Sequence, residues 1–311
     1  MISIKRYEEK DKLQWDNFIK NSKNGVFFFL RDYMEYHSDR FTDFSLIFYS
    51  ENKIVAVMPG NIKDEIMYSH GGLTFGGIIS NKKMKTIVML GIFDSLKEYL
   101  KNEGIKKIYY KAIPPIYHDT PAEEDLYALN YNNAKLVRRD VSSAIYLESK
   151  PKISRGKKRN AKNCRKAGIV VKKSNDYIKY MNFKEKSLIK KYGVAPVHSG
   201  EEMQLLADRF PENIKLFNAE KEGEFYAGVI MYESKNVAHA QYQTSTDEGL
   251  KIGASSLVLD FLIREYYPNK KYFDFGISTE KNGRYLNEGL IDSKERFGAS
   301  AIVHDFYELE I

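Results

Sequence analysis

The stretch from Val237 to Gly298 constrains the fold more than any other part of the chain. Val237-Ala-His-Ala-Gln-Tyr-Gln-Thr-Ser-Thr246 reads as a strand, Asp247-Glu-Gly-Leu-Lys-Ile-Gly253 as a glycine-bearing loop, and Ala254 to Tyr267 as an apolar helix. Lys271-Tyr-Phe-Asp-Phe-Gly-Ile-Ser278 follows as a strand, and Lys294-Glu-Arg-Phe-Gly298 closes the run. A strand that feeds a glycine-bearing loop and then a helix N-terminus is suited to hold a phosphate. The free backbone N–H groups and the helix dipole both face the anion.

A similar layout comes earlier in the chain. Phe44–Tyr49 and Lys53–Met58 read as a hairpin around Ser50-Glu-Asn52. Gly71-Gly-Leu-Thr-Phe-Gly-Gly77 follows, then a helix from about Asn81 with Met84, Val88, Ile92 and Leu96 in one stripe and Gly104 as its stop. The strand Lys106–Lys111 closes that half. In the second half Gly168–Lys172 opens as a strand, with helices over 177–192 and 200–209. Strands over 214–217, 224–233 and 237–246 then form a meander. The pattern predicts an α/β fold of mixed sheets in two related lobes, 1–150 and 151–311, although no literal repeat is present.

The 311 residues suffice for two ordinary domains, and 43% hydrophobic with 29% charged residues is a globular composition. No apolar run approaches the ~18 residues that span a bilayer. Met1-Ile-Ser-Ile-Lys-Arg lacks the apolar core of a secretory signal, so a cytoplasmic location is expected. Cys164 is the sole cysteine, which excludes an intramolecular disulfide and a Cys-rich metal site. The net charge of +7 is too small to argue for DNA binding. Eight basic side chains nevertheless crowd Lys152–Lys166 with no acid among them, which points to an anionic partner.

The succession of elements in the second half resembles the GNAT superfamily of N-acyltransferases, and more specifically its FemAB-like branch. The resemblance rests on Pro114-Pro-Ile-Tyr-His118, the basic stretch after 150, Ala238-His-Ala-Gln-Tyr242, Phe273-Asp-Phe-Gly276 and the closing Lys294-Glu-Arg-Phe-Gly298. It implies two tandem GNAT-like lobes, each a mixed central sheet flanked by helices. The acyl donor is expected in the C-terminal lobe, the acceptor lobe being N-terminal, with the acceptor in the cleft between them. The implied co-substrate is an acyl-CoA, acetyl-CoA first, with no metal. The implied acceptor is the amino group of a nucleotide- or lipid-linked amino sugar destined for cell-surface polysaccharide, which leaves room for peripheral membrane contact. The oligomeric state stays open.

Each candidate has a competing structural reading. Gly249–Ala254 is a reduced phosphate loop, with Gln241, Lys251, Ile252, Gly253, Ala254 and Ser255 as cofactor-binding candidates. A hairpin-to-helix connection needs glycine for conformation alone. Lys294 resembles the family lysine beside the reaction centre, where a cation steadies an oxyanion; it also reads as a surface lysine before a Phe-Gly helix end. Asp274 is a general-base candidate, or a carboxylate held by the Ser278-Thr279 turn. His239 shares a face with Gln241, while Ala238, Ala240 and Tyr242 take the other face; Tyr242 is a candidate proton donor to the leaving group. Tyr68, His70, Tyr117 and His118 offer hydrogen bonds to an acceptor. Arg155, Arg159 and Lys162 share a helix face with Lys166 that either meets phosphates or is solvated.

Two rivals remain. A FemAB-type aminoacyltransferase would draw on charged tRNA to extend a peptidoglycan bridge, usually with a long helical hairpin for which 176–210 looks too short. A non-catalytic nucleotide- or RNA-binding protein would use the basic helix, but the sequence shows no aromatic-plus-basic stripe.

Overall fold

The computed structural model describes residues 2–311, and the side chains of all of these except 191 and 192. The chain opens with β1 (Ile2–Arg6), α1 (Lys12–Asn21), the single turn α2 (Arg31–Met34) and β2 (Thr42–Asp43). The hairpin β3 (Leu46–Ser50) and β4 (Lys53–Met58) turns through Glu51 and Asn52, both left-handed at φ 49° and 60°. β5 (Asn61–Lys63), β6 (Ile66–Tyr68), β7 (Ile79–Ser80), α3 (Thr86–Asn102), β8 (Lys107–Lys111), α4 (Glu124–Tyr131) and β9 (Lys135–Tyr146) follow.

Helix α3 starts at Thr86, later than expected, because Asn81 folds its own turn. The Lys83 N–H donates to the Asn81 side chain and the Met84 N–H to the Asn81 carbonyl. Its buried stripe is Met89, Ile92, Phe93, Leu96 and Leu100, and Gly104 ends it in the left-handed region at φ 74°.

The second part contains α5 (Arg155–Lys166), β10 (Val170–Ser174), α6 (Tyr177–Tyr192), α7 (Gly200–Arg209), β11 (Ile214–Lys221), β12 (Glu224–Glu233) and β13 (Val237–Ser245). The apolar helix expected over 254–267 is broken up. α8 (Asp247–Ile252) precedes it, Gly253 interrupts at φ 75°, and α9 (Ala254–Phe261) runs into a wide turn over Leu262–Tyr266. β14 (Tyr272–Ile277), the two-residue β15 (Thr279–Glu280) and β16 (Tyr285–Leu286), α10 (Glu288–Glu295) and β17 (Ser300–Glu310) complete the chain.

Two compact units emerge, and neither is one continuous half. The first takes residues 1–141, 279–285 and 303–311; the second takes 142–278 and 286–302. The C-terminal strand belongs largely to the first unit because β17 pairs antiparallel with β8, Phe306 opposite Lys111 and Glu310 opposite Lys107.

Each unit contains a short parallel pair. In the first, β6 meets β8 for three residues, from Ile66 opposite Lys107 to Tyr68 opposite Tyr109. In the second, β13 meets β14 for three residues, from Val237 opposite Tyr272 to His239 opposite Asp274. The second unit orders its strands β10-β11-β12-β13-β14 and then the end of β9. Phe217, Val229, Met231, Ala238, Ala240 and Phe273 form the apolar face packed under α5 and α9. The alternating residues Asn218, Gly228, Ile230 and His239 therefore take the opposite face, where Tyr180 of α6 bonds the Gly228 carbonyl.

Candidate active site

Strands β13 and β14 part immediately after His239 and Asp274, and both carry an irregularity just past that point. Met231 on β12 faces Ala240 and Ile230 faces Tyr242, so Gln241 is the extra residue of a bulge. On β14 the register against β9 shifts between Asp274 and Ile277, where Gly276 sits at φ 76°. Only glycine takes that conformation without strain, and a Cβ there would meet the His239 ring at 3.3 Å. The sequence Phe-Asp-Phe-Gly thus places a buried carboxylate and a tight turn at the splay.

Asp274 is fully buried, and its carboxylate is held from several sides. Oδ1 accepts from the Ser142 hydroxyl at 2.8 Å and from the Gly276 N–H at 3.0 Å. Oδ2 lies 2.7 Å from His239 Nδ1. Ser142 and Gly276 are among its partners, and the Thr279 hydroxyl donates to Asp140. A carboxylate on Nδ1 fixes the ring orientation and favours the tautomer whose Nε2 is basic. Nε2 lies 3.1 Å from Gln241 Oε1, the bond a protonated Nε2 makes, and the His239 side chain is 13% exposed.

Lys294 of α10 reaches the same turn. It is 6% exposed, and Nζ donates to the carbonyls of Gly276 (2.7 Å) and Ile277 (2.8 Å) and to the Ser278 hydroxyl (2.8 Å). Burial lowers its pKa to about 8, with the Asp274 carboxylate opposing that shift. The surface reading of Lys294 is thereby corrected: the side chain clasps the end of β14.

The bulge also corrects the expected facing of Tyr242. One inserted residue resets the alternation, so Tyr242 pairs with Ile230 and joins the His239 face instead of the Ala238–Ala240 face. Its hydroxyl lies 2.6 Å from Nδ1 of His198, a residue of the loop between α6 and α7. Burial holds the phenol protonated, raising its pKa to about 12. Sequence reasoning missed His198, since no local pattern links a loop histidine to a strand 44 residues later.

The Gly249–Ala254 segment is not an open phosphate loop. Its first four residues, with Asp247 and Glu248, form α8, whose N-cap Thr246 accepts from the Gly249 N–H. A Cβ on Gly249 would stand 2.0 Å from the Tyr226 carbonyl oxygen, and one on Gly253 would stand 2.5 Å from Asn160 of α5. Both glycines are accounted for by conformation and close packing. Ile252 accepts a bond from the Cys164 thiol, and the Ser255 hydroxyl lies 2.5 Å from that of Ser245. Lys251 is exposed. These residues do not form a built diphosphate cradle.

The first-unit candidates separate. His70 is 3% exposed at φ 65° and stacks on His37 with ring centres 5.3 Å apart. Tyr68 is half-buried against Tyr109. Tyr117 packs on Phe75, and His118 bonds the Ile113 carbonyl at 3.1 Å, burial pushing its pKa down to about 4. Both are buried. On α5, Arg155, Arg159 and Lys162 are exposed while Ala161 and Cys164 are buried. Among the described residues no helix is long and apolar enough to cross a membrane.

No family model matches the chain, and no curated protein does. Solved structures do. FemX aligns over 99% of this chain and 97% of its own at 12% identity, with a TM-score of 0.69. L-PGS from Bacillus licheniformis aligns over 97% and 92% at 11% identity, TM-score 0.62. A tandem GNAT protein from the clavulanic acid biosynthesis pathway aligns over 100% and 98% at 8% identity, TM-score 0.52. The chain shares the α/β fold of these three structures, with mixed sheets and flanking helices.

Proposed function

We propose that this chain is an acyltransferase that passes an activated acyl group to an amine, with its reaction centre at the splay of β13 and β14. The observation that carries the reading is the bond between buried Asp274 and His239 at the last paired position of those strands. An amine must be neutral to attack an acyl carbon. His239 Nε2 takes its proton, and Asp274 steadies the imidazolium that forms. The new C–N bond forms as the carbonyl π electrons move to oxygen. As the carbonyl re-forms, the C–S or C–O bond to the donor breaks, and in this reading the Tyr242 hydroxyl protonates the leaving group. Such direct transfer needs no covalent enzyme intermediate.

The acceptor we propose is an amino sugar linked to a nucleotide or lipid, with acyl-CoA, acetyl-CoA first, as donor. The short α6 and α7, of 16 and 10 residues, favour that donor over a long tRNA-binding hairpin. A second reading, an aminoacyl ester of tRNA, is favoured by the closed α8–α9 junction. Transfer assays with radiolabelled acetyl-CoA and with charged tRNA, on a panel of nucleotide-linked amino sugars and on a peptidoglycan precursor, separate them. Turnover of acetyl-CoA that falls in His239→Ala supports the first reading; turnover only of charged tRNA supports the second. No turnover of either donor, or parental turnover in His239→Ala, sinks the reaction centre.

A further inference from the structure

Helix α6 and the β11–β12 hairpin enclose a cavity of about 640 Å³, within the usual volume of small-molecule sites. It lies on the sheet face that carries His239 and Tyr242. Tyr180, whose hydroxyl donates to the Tyr242 carbonyl at 2.8 Å, also lines this cavity. Nothing in the acyl-transfer chemistry uses this space.

Its lining combines three kinds of group. Phe183 and Phe225 are half-buried and meet edge to face at 5.3 Å, which leaves ring surface toward the cavity. Asn218 is 8% exposed; its Nδ2 donates to Glu220, while its Oδ1 has no partner among the described residues. A buried acceptor without a donor costs stability unless something supplies one. Lys179 and Lys186 stand two helical turns apart on α6, about 10 Å by the helical rise, on the face that also presents Phe183. Both are exposed, and among the described residues neither is paired with a carboxylate. Asp176 is occupied in capping α6 through the Lys179 N–H, and Glu220 in holding Asn218.

We infer that this cavity binds a nucleotide. The base lies against Phe225 and Phe183, and the phosphate meets Lys179 and Lys186. Aromatic faces interleaved with cations are how proteins hold single nucleotides, because every base offers a π face and every phosphate a charge. The stripe is invisible in sequence because Phe183 and its lysines come from a helix, while Phe225 and Asn218 come from two strands. The inference goes beyond the acyl-transfer reading and does not depend on it.

The test is calorimetric titration of the full chain with adenosine 5′-monophosphate, inorganic phosphate and glucosamine 1-phosphate. The nucleotide is expected to bind saturably, and the other two about tenfold more weakly or worse, the loss of one base stack. Phe225→Ala should raise the nucleotide Kd about tenfold, and the surface change Lys186→Ala should do so at an unchanged melting temperature. His239→Ala should bind as the parent does. Displacement of the nucleotide by CoA assigns the site to a coenzyme tail, and displacement by a cytidine-cytidine-adenosine trinucleotide to an RNA 3′ end. No saturable binding, equal binding of glucosamine 1-phosphate, or an unchanged Kd in Lys186→Ala overturns the inference. Nucleotide binding without transfer from any donor would leave this site standing and remove the proposed reaction.

Discussion

Asp274 Oδ2 sits 2.7 Å from His239 Nδ1 at the last position where β13 and β14 still pair. Beyond it the strands diverge, and the other ring nitrogen, Nε2, meets Gln241 Oε1 at 3.1 Å. Asp274→Asn and His239→Ala should each lower kcat by about 10²–10⁴-fold, the usual worth of a positioned base. Parental turnover of both variants from about pH 6 to 9 would mean that water or the substrate removes the proton.

Ser142 acts through Asp274. It is fully buried, and its hydroxyl is one of two donors to Oδ1. Ser142→Ala should cost about 1.5–3 kcal/mol in a urea melt, as for a bond to a charged group. It should also shift the pH–rate profile, whereas Ser142→Thr, which keeps the hydroxyl, should restore the parental profile. A stability loss with no change in the profile would leave Ser142 structural only.

Gly249→Ala separates ligand from packing at α8. A Cβ 2.0 Å from the Tyr226 carbonyl should cost about 1–3 kcal/mol through overpacking. Lys251→Ala, on the exposed side, should stay within about 0.5 kcal/mol of the parent. The opposite pattern, a stable Gly249→Ala that has lost acyl-CoA binding, would restore the phosphate-loop reading.

The basic face of α5 is tested by charge. Arg155, Arg159 and Lys162 are exposed, so reversing all three to glutamate should leave the fold intact. If they meet acceptor phosphates, the acceptor KM rises and its salt dependence flattens while donor affinity is unchanged. Identical kinetics would identify a solvated face.

His70 supplies a pH dependence. Burial, reinforced by His37 and Lys111, lowers its pKa from 6.5 to about 3. Between those values the unfolded chain holds a proton that the folded chain refuses. Its contribution is therefore intact above pH 6.5 and is lost as the pH falls toward 3, by at most about 1.4 kcal/mol per pH unit. His70→Asn tolerates the left-handed backbone, so urea midpoints of that variant should fall less steeply over this window. An unaltered slope would place the acid sensitivity elsewhere.

The order of strands and helices was legible because each element carries its own period and punctuation. The 177–192 and 200–209 helices, the 224–233 strand and the Glu222-Gly223 turn match the observed elements. So does the polar residue inside an apolar strand, Asp274, next to a glycine. These are local signals, read within a few residues of where they act.

What the sequence could not contain is anything set by contacts between distant segments. The Gln241 bulge moves Tyr242 to the other face, yet it exists only in register with β12. The glycines of α8 look like a phosphate loop until Tyr226 and Asn160 are seen filling the space beside them. His198, Ser142 and the Phe183–Phe225 wall reach their partners from 42 to 132 residues away, through pairing and packing that no periodicity encodes. By itself the sequence determined the elements and the charged residues near the splay, because propensity and turn chemistry are local. Only the tertiary structure decided which side chains share a face, because strand register and the close approach of backbones are properties of neighbours in space.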